Sequence, residues 1–228
     1  DRGFFHNPED DPLSGQLFLL DGQKWRTMRN KLSSTFTSGK MKYMFPTVVK
    51  VANEFTDVFG QNVAKSPVVE VRELLARFTT DVIGTCAFGI ECNTLRTPVC
   101  DFRTMGQKVF TDMRHGKLLT MFMFSFPKLA SRLRMRMMPE DVHQFFMRLV
   151  NDTIALRERE NFKRNDFMNL LIELKQKGRV TLDNGEVIEG MDIGELAAQV
   201  FIFYVAGFET SSSTMSYCLY ELAQNQDI

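Results

Sequence analysis

The stretch from Asp192 to beyond Leu222 constrains the fold most, because its apolar spacing predicts one helix of about thirty residues. Its middle, IFYVAGFETSSSTMSY (Ile202 to Tyr217), is unusual. The first half is almost wholly apolar, whereas the second is packed with Ser and Thr, which favour helix caps over interiors. Gly207, Glu209 and Thr210 sit at the junction. A helical threonine can donate its hydroxyl to the carbonyl four residues back, here Ala206, and so open the helix locally. Gly207 lowers the resistance to bending. The expected result is a notch with a hydroxyl, a freed carbonyl and a nearby carboxylate in an apolar wall, an arrangement suited to delivering protons to bound dioxygen. Ala198, Ile202, Val205 and Ala206 recur at spacings of three and four and offer an apolar surface to a lipophilic ligand. Taken alone, the same four-residue pattern also describes a buried helix kinked by glycine.

The remainder also reads as helix. Segments from about Gly22 to Ser34 and from Gly39 to Lys65, the latter kinked at Pro46, are followed by a possible short strand at Val68 to Val71. Leu74, Leu75, Phe78, Val82 and Ile83 then share one helical face. A loop from Gly89 to Pro98 leads to a helix from Asp101 to Arg114. The apolar run Leu118 to Phe126 is too short to span a bilayer, and core packing is expected ahead of contact with a membrane surface. Pro139, at a first helical position, opens a helix bearing Val142, Phe145, Phe146, Leu149, Val150 and Ile154. Asn165 or Asp166 caps another, and a small hairpin from Val180 to Ile188 is expected to turn at Asp183-Asn184-Gly185. The fold class is all-α, with a minor β hairpin.

Lys and Arg balance Asp and Glu, 28 against 28, so no net field draws the chain to nucleic acid. Local basic clusters, Arg132, Arg134 and Arg136 among them, read first as solvated faces and second as a contact with lipid headgroups, which the apolar run just before them suggests. The four cysteines have neither the number nor the spacing of a disulfide framework, and with three scattered histidines they suggest no metal site. No initiator methionine or apolar segment opens the chain, and the last residues follow a helical pattern without a stop signal. Both ends read as cuts.

Trp25 and Arg29 lie four residues apart in WRTMR, so both point to one helical face, and both are pure donors. Such a pair matches a carboxylate of a planar cofactor. A core tryptophan beside a surface arginine gives the same text.

With both motifs in view, the chain resembles the cytochrome P-450 superfamily. WRTMR is similar to the family's C-helix WxxxR, and AGFETS (Ala206 to Ser211) to its I-helix pattern [AG]Gx[DE]T[TS]. LFLLDGQKWRTMRNKLSSTFTSGKMK and FTTDVIGTCAFGI are similar to insect microsomal members often tied to clearance of plant toxins and insecticides.

The resemblance implies that residues 1–228 form a single incomplete domain of that fold with a long central I helix. It implies that Trp25 and Arg29 hold a haem propionate, that Ala206 and Gly207 lie against the distal haem face, and that Phe203 meets the porphyrin edge. Glu209 and Thr210 become the acid–alcohol pair, and Ile202, Val205 and Ala206 touch substrate. The implied cofactor is haem (iron protoporphyrin IX), expected in the full-length protein. The implied partners are O2, a lipophilic substrate and an NADPH-cytochrome reductase. The implied location is the cytosolic face of the endoplasmic reticulum membrane, reached through an N-terminal anchor outside this chain. The ExxR pair and the loop bearing the iron-ligating cysteine are not found, so the chain by itself is expected to be inactive. A haem-free helical module binding a lipophilic ligand, and an interaction domain in which both motifs merely pack, remain as alternatives.

Overall fold

The computed structural model describes residues 4–164, 166–181 and 187–228. Its helices are α1 (Gly22–Ser33), α2 (Ser38–Lys65), α3 (Val71–Ile83), α4 (Asp101–Thr111), α5 (Lys117–Ser125), α6 (Pro127–Arg132), α7 (Glu140–Glu160), α8 (Phe167–Gln176) and α9 (Ile193–Gln224). A π-type turn at Gly84–Phe88 ends α3, and 3-10 turns occupy Pro12–Gly15 and Ser34–Phe36.

Asp192 fixes the start of α9. Its carboxylate accepts the Glu195 amide at 2.7 Å while the Glu195 carboxylate accepts the Asp192 amide at 3.3 Å, a reciprocal cap that satisfies two orphan donors. The helix then carries Leu196, Ala197, Val200, Phe201, Tyr204 and Phe208 into the core. By length and composition α9 alone among the described helices could cross a membrane. Here it is instead the spine against which α3, α4, α7, α8 and the Pro12–Gly15 turn pack.

The phenylalanines account for much of that core. Phe88 meets Phe102 at 5.0 Å and 76°, Phe102 meets Tyr204 at 4.8 Å and 78°, and Phe146 meets Phe201 at 5.1 Å and 73°. These edge-to-face contacts suit the ring quadrupoles and are each worth roughly 0.5–1.5 kcal/mol beyond burial. Gly106 of α4 is required here, since a Cβ would lie 1.5 Å from the Tyr204 hydroxyl.

Buried charges tie the loops to this frame. Arg157 of α7 grips Asp166 with two bonds, at 2.7 and 2.6 Å, and reaches the Phe88 carbonyl at 3.3 Å. Asp81 accepts the backbone amides of Thr94 and Leu95. Asp11, fully buried, accepts the amides of Met137 and Met138 and faces His143 at 3.5 Å.

Several expectations need correction. Val68 to Val71 forms no strand. The Ser66 hydroxyl closes a turn onto Val68, Glu70 caps α3 through the Arg72 amide, and Val71 is already helical. The helix beginning at Asp101 ends at Thr111, where Asp112 turns extended, rather than at Arg114. Pro139 is the N-cap of α7 with extended backbone (φ −52°, ψ 145°), one position before the helix. Asp166 caps α8 through the Asn169 amide, whereas Asn165 lies outside the described residues. Two three-residue strands, β1 (Arg179–Thr181) and β2 (Val187–Glu189), pair antiparallel with Arg179 opposite Glu189. The Asp183-Asn184-Gly185 turn lies outside the described residues, so no closed hairpin is seen.

The run from Leu118 to Phe126 departs most from expectation. Only Met123 is buried, against Phe5 and Ala130, while Leu118 is 85% and Met121 68% exposed. The helix breaks at Phe126–Pro127, because proline restricts the residue before it to non-helical backbone, and the pair α5–α6 turns its greasy side outward.

Candidate functional site

Trp25 and Arg29 occupy one face of α1, as their spacing requires, with the guanidinium carbon 5.7 Å from the indole centroid. They line a pocket of about 320 Å³ together with Leu17, Phe18, Ile202, Phe203 and Ala206. The two motifs, far apart in the chain, thus share one wall.

The site residues of α9 divide by side. Ile202, Phe203 and Ala206 face this pocket. Phe203 is held there by Phe36 and Phe167, with ring centroids 5.2 and 3.8 Å away. Thr210 lies one turn beyond Ala206 on the same exposed side, and its hydroxyl donates to the Ala206 carbonyl. That is the expected back-bond, yet α9 continues through it as unbroken helix, so the opened notch is not present. The serine and threonine run is absorbed in the same way. Thr214 donates to the Thr210 carbonyl, Ser212 to that of Glu209 and Ser216 to that of Ser212.

Three candidates lie elsewhere. Gly207 turns toward α3, where a Cβ would stand 2.8 Å from Ile83 Cδ1, so the glycine serves the close approach of two helices. Val205 packs, half-buried, against the main core. Glu209 points into a polar cleft of about 720 Å³ between α3 and α4 and pairs with Arg72 at 3.3 Å. Acid and alcohol are adjacent in sequence but serve different sides of the helix. The cleft also holds Arg103, whose side chain is 5% exposed and bonds Glu73 at 2.8 Å. Sequence reasoning missed Arg72, Leu17 and Phe18. The Arg72–Glu209 pair spans 137 positions, and no local pattern announces it.

Burial pushes the Cys86 thiol up to about 11 and raises that of Cys92 further, partly through the neighbouring Cys100, which leaves both protonated. Among the described residues no cluster of His, Cys, Asp or Glu could hold a metal. The donor set does fit a planar dicarboxylate cofactor. Arg29 is exposed and makes no ion pair among the described residues, Trp25 is beside it, and the small Ala206 lets a flat ring approach α9 closely.

The whole chain, residues 1–228, matches the family model described as Cytochrome P450. Cytochrome P450 6a2 of Drosophila melanogaster is 84% identical over 100% of this chain and 46% of that protein. Cytochrome P450 6a9 of the same organism is 61% identical over 100% of this chain and 45% of its own length. Cytochrome P450 6A1 of Musca domestica is 50% identical over 100% and 44% respectively. The chain therefore spans about half the length of the curated relatives it matches.

Proposed function

The chain belongs to the cytochrome P450 family, and on that footing we propose that the whole protein is a haem-thiolate monooxygenase inserting one atom of O2 into lipophilic substrates. The observation that carries this reading is the shared pocket, in which two donors on α1 face an apolar side of α9.

In that reading residues 1–228 are one incomplete domain of the enzyme. Arg29 and Trp25 would hold a propionate, the guanidinium through a charge-assisted bond and the indole through a neutral one. Ala206, with its small side chain, would leave room for the ring beside α9, and Phe203 would meet it from the same side of the helix. Haem, when bound, supplies the redox and oxygen-activating chemistry. Ile202 and Ala206, with Leu17 and Phe18 opposite, exclude water and present an apolar surface to substrate. Val205 and Gly207 act from behind, as packing.

Thr210 holds a proton at its Oγ1 and can pass it outward only by turning away from the Ala206 carbonyl. Glu209 stands on the solvated cleft, paired with Arg72, and connects the helix to bulk water from the other side. The division between an exposed hydroxyl and a solvent-side acid suits a relay that must be replenished after each turnover.

Electrons come from an NADPH-cytochrome reductase, and the protein sits on the cytosolic face of the endoplasmic reticulum membrane. The outward apolar side of α5–α6 supports contact with lipid. The test is spectroscopic. The full-length protein, reduced and exposed to carbon monoxide, is expected to show the Soret shift of thiolate-ligated haem. A folded full-length preparation that takes up no haem defeats the proposal and leaves a haem-free module for lipophilic ligands.

A further inference from the structure

Gln199 is fully buried on α9, one turn before Ile202 and Phe203. Its Oε1 accepts the Leu17 amide at 2.9 Å and its Nε2 donates to the Gly15 carbonyl at 3.0 Å, so both ends of the amide are engaged. The partners lie 182 and 184 positions away in the chain. Because one is a donor and the other an acceptor, the amide cannot flip without breaking both bonds. Packing alone would be met at this position by an apolar side chain of the same length. The amide adds a fixed registration between α9 and the backbone of residues 15–17, and a buried amide is tolerable only while both bonds are made.

What that registration positions is functional. Leu17 and Phe18 line the pocket together with Ile202, Phe203 and Ala206, and Gln199 does not itself line it. The loop has little freedom elsewhere. Asp11 ties its start to Met137 and Met138, and Gly15 sits against Pro8 and Ala198 so closely that a Cβ would stand 3.3 Å from Pro8 Cβ. Between those points and α1, the Gln199 amide ties the backbone at Gly15 and Leu17 to α9, while the Phe18 ring stacks on Phe4 with centroids 5.5 Å apart.

We infer that Gln199 is a positioning residue for ligand selectivity, its buried amide fixing the width of the lipophilic chamber between the Leu17–Phe18 wall and the Ile202–Phe203–Ala206 face of α9. The inference rests on the proposed reading of this pocket as the place where haem and substrate meet, Trp25, Arg29 and Phe203 serving the ring and Leu17, Phe18, Ile202 and Ala206 serving substrate. Apolar pockets discriminate shape weakly, by roughly 10- to 200-fold per methylene, so a small change in wall position is enough to be read.

The experiment compares the full-length protein with its Gln199→Met variant, which keeps the side chain's length and removes both bonds. Two fluorescent lipophilic probes, compact naphthalene and broader pyrene, are titrated by their own emission, and exchange of the Leu17 amide hydrogen is followed by mass spectrometry. We expect faster exchange at Leu17 and a change of about tenfold in the ratio of the two dissociation constants. Faster exchange with an unchanged ratio overturns the role of Gln199 and leaves the enzyme reading intact. Failure of the unsubstituted protein to bind either probe overturns the assignment of this pocket to lipophilic ligands and the role of Gln199 with it, while haem uptake still decides the enzyme reading. Should the methionine variant not fold, Gln199→Glu serves instead. It keeps the size and the acceptor for Leu17, and as a carboxylate it cannot donate to Gly15. The same shift in ratio is expected, and its absence is equally decisive.

Discussion

Thr210 and Glu209 show what adjacency in a helix means. Consecutive side chains point about 100° apart, so a motif written as one unit is divided by the fold between two surroundings. Thr210 stands on the exposed side in line with Ala206, while Glu209 turns to Arg72. The back-bond was legible in the sequence because it depends only on a spacing of four. The ion pair was not, because Arg72 belongs to another helix. In the proposed relay the Thr210 hydroxyl has to leave the Ala206 carbonyl, and only another hydroxyl could replace it. In the reconstituted full-length enzyme, Thr210→Ala is expected to lower product formed per reductant consumed on the order of tenfold. That is less than the roughly 10²–10⁴ of a general acid acting alone, since the Glu209 side remains. Thr210→Ser should keep most of the coupling. Equal coupling in the alanine variant would remove Thr210 from the relay.

Among the elements, the helices were legible where one face is buried, because the 3.6-residue period is then written by the core. The apolar stripe from Val142 to Ile154 and the face from Leu74 to Ile83 are such cases. Ends were less so. The Val68–Val71 run has strand-forming residues but no neighbouring strand, and without a ladder its propensity decides nothing. Ion pairs also pin ends that sequence cannot foresee. The last turn of α4 and the first turn of α7 are joined by Lys108–Asp141 and, just beyond α4, by Arg114–Glu140. Arg114 and Gln144 hold the Glu140 carboxyl below the ordinary carboxylate range, Lys108 does the same for Asp141, and Asp141 raises Lys108. A carboxyl lowered on folding stabilises above its unfolded value and loses that contribution as pH falls through the folded one. A raised lysine stabilises below its unfolded value and loses its contribution as pH rises through the folded one. The junction should therefore be firm near neutral pH and loosen in acid, below about pH 4, and again at strongly alkaline pH. These groups are exposed, so salt should weaken it too. Hydrogen exchange, corrected for intrinsic rates, is expected to show protection falling in acid at residues 101–114 and 140–147 before it falls in the first half of α9. Simultaneous loss in both regions would show that the pairs do not hold the junction.

At the scale of the whole molecule, the apolar run at 118–126 was assigned to the core because composition alone cannot tell an inward face from an outward one. The structure settles the direction. Phe5, Met123 and Ala130 form a small cluster beneath α5–α6, and Leu118, Leu119, Met121, Phe124, Phe126, Leu129 and Leu133 are left exposed. Lys117, Lys128 and Arg132 sit exposed in the same segment. Apolar side chains with a cationic margin support the proposed contact with lipid, along an interface rather than across a bilayer. Asp11 ties the far end of the segment at Met137 and Met138, and the break at Pro127 keeps its two helices short. Burial of a leucine or methionine side chain in an apolar phase is worth roughly 1.5–3 kcal/mol. Replacing both Leu118 and Met121 by Asp in the full-length protein should therefore reduce partition into phosphatidylcholine–phosphatidylserine vesicles by at least about tenfold. Because both side chains already face solvent, the melting temperature should change little. A double variant that binds vesicles as tightly as the unsubstituted protein would show that α5–α6 does not contact the membrane. One that melts much earlier would place this pair inside a core that only the remaining half of the protein completes.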